Sequence, residues 1–118
     1  MELVCFQGLD KENYLQLNAL IKRCQWEKIA IVKNKEAESL SSPENVKVFE
    51  VNSKSPITEL KEEIMQKLKT AIGKDFEVYL SLASGNGKEH MALISALLSI
   101  PVGIRLVVFT KNGIEFIN

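Results

Sequence analysis

Two short runs, Leu3-Val-Cys-Phe6 and Ile29-Ala-Ile-Val32, are apolar at every position. An extended chain sends alternate side chains to opposite faces, so a run of this kind needs apolar cover on both sides. Parallel strands lying between two layers of helices have that cover, whereas a half-solvated antiparallel strand alternates apolar with polar residues. Between the two runs, Tyr14, Leu17, Ile21 and Cys24 recur at three- and four-residue steps, with Leu20 beside them. That spacing predicts an amphipathic helix with Asp10 as its N-cap, and hence a strand-helix-strand unit.

The alternation continues downstream. A polar crossover from Lys33 to Asn45, with room for one or two helical turns at Glu36–Leu40, leads to a third strand, Val46-Lys-Val-Phe-Glu-Val51. Ser55-Pro56 then opens a helix as N-cap and first helical residue. Ile57, Leu60, Ile64, Leu68 and Ala71 share one face of it, while Glu59, Lys61, Glu62, Gln66, Lys67 and Lys69 hold the other. Gly73 reads as its end, with Lys69 and Lys74 at the negative pole of the helix dipole. Phe76–Ala83 reads as a fourth strand, Ser84–His90 as a sharp polar loop, and Met91–Leu98 as a helix apolar nearly all round, broken by Pro101 and Gly103. Ile104–Phe109 and Ile114–Ile117 flank Lys111-Asn-Gly113, the strongest short signal for a hairpin. The order predicts an α/β, Rossmann-like three-layer domain spanning residues 1–118, with a mostly parallel sheet and a C-terminal antiparallel hairpin. By analogy with doubly wound sheets, the strand order is 3-2-1-4-5-6.

Composition narrows the function classes. Fifteen Lys and Arg balance fifteen Asp and Glu, which removes the blanket attraction to DNA or anionic lipid that a basic chain has. The longest nearly apolar stretch, Met91–Ile100, is far short of the ~20 residues of a membrane span. Cys5 and Cys24 are too few for a zinc site and read as unreactive core or surface thiols in a reducing compartment. Met1 is followed at once by an acid, without a basic start or cleavage site, so a cytoplasmic protein is expected. No metal-ligand spacing is visible, and no cofactor is expected.

In open α/β sheets, ligands bind beyond the carboxyl ends of strands, near the point where strand order reverses. Two glycine-bearing loops qualify: Gln7-Gly8 after the first strand and Ser84-Gly-Asn-Gly-Lys88 after the fourth. Gly85 and Gly87 allow a sharp turn and close approach to a ligand. The amides and dipole of the following helix favour an anion, Lys88 adds a full charge, and Ser84 and Asn86 offer polar groups to phosphate or sugar oxygens. His90, at the helix start, is expected to touch the crevice. The alternative is a tight strand-to-helix turn with a solvated lysine. Neither common phosphate motif fits: a P-loop needs glycine where Leu82 stands and Ser or Thr where Glu89 stands, and a dinucleotide fingerprint needs glycine at His90.

The stretch Ser84-Gly-Asn-Gly-Lys-Glu-His-Met91, followed by the helix Ala92-Leu-Ile-Ser-Ala-Leu-Leu98, resembles the CARF domain, the CRISPR-associated Rossmann-fold sensor. That family commonly carries Thr/Ser-Gly-Gly-Thr-Lys, one or two residues, a methionine and an apolar helix. Here Asn86 replaces the second glycine, Gly87 replaces the threonine, and His90 is an extra residue before Met91. The resemblance implies binding of a cyclic oligoadenylate second messenger across a two-fold homodimer, in an antiviral defence setting. The ligand-binding residues would be Gln7, Gly8, Ser84, Gly85, Asn86, Gly87, Lys88 and His90. With no effector segment after Asn118, the expectation is a stand-alone module, either a sensor subunit or a ring nuclease. A metal-independent ring nuclease would use a ribose 2′-hydroxyl to attack the neighbouring phosphate, with Lys88 stabilising charge and Ser84 or Gln7 orienting the ring. The competing reading is a Rossmann-like regulatory or scaffold module acting through a protein partner. A mononucleotide enzyme ranks third, since His90 is the sole evident general base.

Overall fold

The computed structural model describes residues 1–40, 43–72, 77–100 and 102–118. Along the chain run β1 (Glu2–Gln7), a 3-10 turn (Lys11–Asn13), α1 (Tyr14–Arg23), β2 (Lys28–Asn34), β3 (Val46–Val51) and α2 (Ile57–Ala71). They are followed by β4 (Glu77–Ser81), α3 (Gly87–Ser99), β5 (Gly103–Thr110) and β6 (Gly113–Phe116). The six strands form one sheet in the order β3-β2-β1-β4-β5-β6, parallel throughout except for the β5–β6 hairpin. Leu3 lies opposite Ile29 on one side and Tyr79 on the other. The fold is the Rossmann-like α/β architecture that the alternation of elements predicts.

Strand alternation divides the core in two. Leu3, Cys5, Ile29 and Ile31 face α1, packing with its Leu17, Leu20 and Ile21 and with Trp26. Val4, Phe6, Ala30, Val32, Val78 and Leu80 face the other way, onto Leu60, Ile64 and Leu68 of α2 and Leu93, Ala96 and Leu97 of α3. Each fully buried Leu, Ile or Phe contributes roughly 1.5–3 kcal/mol relative to exposure, so these two clusters hold the layers together. Among the described residues, no helix is long and apolar enough to cross a membrane.

Several boundaries differ from the sequence expectations, each for a local reason. Residues 36–40 form no helical turn. The side chain of Asn34 accepts from the Glu36 amide at 3.0 Å, and Ala37 N–H closes on Asn34 O at 2.8 Å. Such a side-chain bond offers the backbone an alternative to helix. Helix α1 begins at Tyr14 and Asp10 does not cap it, because that carboxylate is engaged elsewhere. Pro56 rather than Ser55 occupies the N-cap position of α2, while the Ser55 amide closes a turn onto Asn52 O. Helix α3 starts four residues before Met91, at Gly87. The roles read for Gly73, Lys74, Phe76 and Pro101 lie outside the described residues. Cys5 is a core thiol pushed up to about 12 by burial, whereas Cys24, at the end of α1, is half-buried and raised by the same cause.

Candidate functional site

Strand order reverses between β1 and β4, and the loops leaving their carboxyl ends meet there. The Gly8 amide donates to Ser84 Oγ at 2.9 Å, and that hydroxyl donates to Asp10 Oδ1 at 2.8 Å. The Gly85 amide donates to the same carboxylate oxygen at 2.9 Å. The Tyr14 hydroxyl, from the start of α1, donates to Gly8 O. A Cβ on Gly8 would stand 2.7 Å from Gly85 Cα, so the two backbones touch. Gly85 has φ +110°, and a Cβ there would also meet His90 Nε2 at 2.9 Å. Gly87 is different: a Cβ would enter open space, and its backbone is ordinary first-turn helix.

A second carboxylate closes the other side of the crevice. Asn86 and Glu89 form a capping box at the start of α3, with Asn86 Oδ1 accepting from Glu89 N–H at 2.9 Å and Glu89 Oε1 accepting from Asn86 N–H at 3.0 Å. Reciprocal bonding of this kind satisfies two amides and sets the helix start. The remaining oxygen of Glu89 accepts from Asn34 Nδ2 at 3.2 Å and from Ser53 Oγ. This one buried side chain therefore ties together the ends of β2, β3 and β4. Leu9, Asp10, Asn34, Gly85, Asn86 and Glu89 line a small hollow of about 190 Å³.

The residues singled out from sequence are thus sorted by geometry. Gly8, Ser84 and Gly85 form the bridge between the loops, and Ser84 is fully buried with its hydroxyl both donating and accepting inside the protein. Gln7 is also buried and turns away from the bridge, its Nε2 donating to Glu38 O at 2.7 Å. Asn86 and Gly87 are exposed. Lys88 is half-buried and reaches across to the loop after β3, donating to Ser53 O at 2.9 Å. His90 lies within 2.7 Å of Ser84 O through Nε2.

Asp10, Glu89, Asn34 and Ser53 are the residues that sequence reading missed. The Asn86-x-x-Glu89 spacing was a legible capping-box signal, but the partners of Asp10 were not. Asp10 feels two opposing effects: burial pushes its pKa up, and hydrogen bonds from Asn13, Gly85 and Ser84 outweigh that and hold it below the ordinary carboxyl value. The amides of Gly85 and Asn86 are accordingly matched to internal carboxylates. The donors left for an external anion are the Gly87 and Lys88 amides at the start of α3, which have no acceptor within the helix, together with the Lys88 ammonium hydrogens beyond its bond to Ser53 O. The His90 ring already meets Ser84 O through Nε2.

Beyond the loop, α3 has two unlike sides. Ala92, Leu93, Ala96 and Leu97 are buried, but Met91 is 64% and Leu98 72% exposed, with Ile94 half-buried. Met91, Ile94 and Leu98 follow one another at three- and four-residue steps and so share an outer stripe. A shallow hollow of about 370 Å³ runs along it from Gly87 and His90 to Leu98. No protein-family model matches this chain, and no curated protein is significantly similar to it.

Proposed function

We propose that the chain is a cytoplasmic CARF-like sensing domain that binds a cyclic oligoadenylate across a two-fold homodimer. One observation carries this reading: the Ser84–Lys88 loop leads directly into α3, and the outer face of that helix carries the exposed apolar stripe Met91-Ile94-Leu98 along its length. Pairing two copies through that stripe brings two loops to one axis, and a two-fold ligand matches an interface built from identical patches. Lys88 and the first amides of α3 then face the ring of phosphates from both sides. Ser84, whose hydroxyl already joins Asp10 to Gly8, holds the loops in place, and His90 secures the carbonyl of the same residue through Nε2. If the ring is cut, a ribose 2′-oxygen bonds to the adjacent phosphorus as the 5′-oxygen leaves, giving a 2′,3′-cyclic phosphate. Lys88 is the residue suited to stabilise the charge that accumulates on phosphorus oxygens.

A second reading, a module that acts through a protein partner on the α3 stripe, is favoured by the internal pairing of the Gly85 and Asn86 amides with Asp10 and Glu89. Incubation of the protein with radiolabelled cyclic tetra-adenylate and hexa-adenylate in EDTA separates the two. The sensing reading expects retarded or linearised ligand, a Lys88→Ala variant bound at least tenfold more weakly, and a Leu98→Lys variant that sediments as a monomer. Intact, unretarded ligand together with an unchanged Lys88→Ala variant overturns it in favour of the partner module.

A further inference from the structure

The open end of the α1 face holds a groove that the β1–β4 crevice does not use. Because the described residues of the crossover after β2 make no helix, the sheet surface over β2 and β3 is covered there, among the described residues, by coil. Gln7, Ile31, Lys33, Leu40, Val48 and Glu50 line a groove of about 620 Å³, inside the roughly 300–1,000 Å³ range of small-molecule sites. Gln7 fastens the roof through its bond to Glu38 O. Lys33 extends into this space from β2 with its side chain only 4% exposed. Its Nζ donates to Glu50 Oε2 at 3.0 Å, its one partner among the described residues. An ammonium carries three donors, so two are left without an acceptor among the described residues. Glu50 is a loose counter-ion, with its side chain 61% exposed. A buried charge matched to a solvated one adds little stability, and an apolar side chain at position 33 would pack as well. Lys67, at the outer rim, donates to Glu50 O at 2.6 Å and pairs with Glu63 Oε2 at 3.3 Å, so the charge it brings to the rim is already matched.

We propose that this groove binds a small organic anion, a carboxylate or sulfonate carried on an apolar body. The charged end takes the free donors of Lys33, displacing the Glu50 carboxylate toward solvent, and the body lies on Ile31, Leu40 and Val48. An ammonium surrounded by apolar walls attracts an anion far more strongly than one in water. A compact, fully hydrated ion such as free phosphate would leave those walls uncovered, which is why the ligand has an apolar part. The inference is independent of cyclic oligoadenylate binding, since none of these side chains belongs to the Ser84–His90 loop.

The test is a fluorescence and calorimetric titration of the whole protein with 1-anilinonaphthalene-8-sulfonate, an apolar body bearing one sulfonate. Saturable one-to-one binding is expected, at least tenfold weaker in Lys33→Met and in Val48→Asp, and severalfold tighter in Glu50→Gln. Because the probe also binds partly unfolded protein, the gain in Glu50→Gln is read as one-to-one calorimetric affinity in a variant whose near-UV circular dichroism matches the parent's, which keeps the test decisive if Lys33→Met is unstable. Unsaturable binding, equal affinity in all three variants, or a signal abolished by Met91→Lys or Leu98→Lys on α3 overturns the proposal.

Discussion

Lys33 and Asn34 are neighbours in β2, yet they face opposite sides of the sheet and meet opposite circumstances. Asn34 faces the side covered by α2 and α3, where its amide nitrogen donates to Glu89 and its oxygen accepts from Glu36 N–H. Among the described residues, Lys33 faces the side where α1 lies alone and the β2–β3 end is closed by coil, and it has a single partner there. The covered side behaves as a finished interior, with its polar groups joined into one network and its apolar groups packed between two helices. The other side is finished only beside α1. What separates them is the crossover sequence: residues 57–71 and 87–99 carry an apolar face at helical spacing, whereas residues 35–40 offer only Ala37 and Leu40.

Truncation on each side is the most direct way to break this contrast. Ile64→Ala, in the sealed layer between α2 and the sheet, should cost about 3 kcal/mol in urea unfolding, whereas Val48→Ala over the groove should cost less than about 1 kcal/mol. Equal losses would mean that the groove collapses in solution and that the two sides are alike. The glycines of the loop sharpen the comparison on a smaller scale. Gly85→Ala should destabilise by about 1–3 kcal/mol, because it combines a left-handed backbone with a clash at His90. Gly87→Ala, in open space on the first turn of α3, should be neutral or stabilising by about 0.5 kcal/mol.

The smallest expected effect is the acid limb of stability. The native pKa of Asp10 lies below its ordinary value of 3.8, so its stabilising contribution is complete above that value. It is lost as pH falls through the lowered native one. Urea midpoints measured between neutral and strongly acidic pH should drop less in Asp10→Asn than in the parent protein. An identical acid limb in both would show that the bonds from Ser84 and Gly85 do not favour the ionised form.

Much of the fold was legible because it rests on local pattern. The all-apolar runs at Leu3–Phe6 and Ile29–Val32, the heptad-like spacing from Ile57 to Ala71, and Asn112-Gly113 between two strands each identify an element from its own residues. The candidate site was legible only in outline. Gly8, Ser84 and Gly85 do meet, but reading Ser84 and Lys88 as groups directed at a ligand left out Asp10, which is 74 residues from Ser84, and Glu89, which is 55 from Asn34. Nothing near Asp10 in the chain distinguishes an N-cap from a carboxylate that bridges two loops.

By itself, then, the sequence determined which segments are strands and helices, their succession, and the need for a sheet covered on both faces, since periodicity and turn chemistry act over a few residues. Only the tertiary structure decided which donor meets which acceptor at the strand ends and which part of the sheet stays open. Those outcomes depend on bringing β1 beside β4 and Lys33 beneath a crossover whose described residues form no helix, and hydrogen bonds and burial are settled by distance in space rather than along the chain.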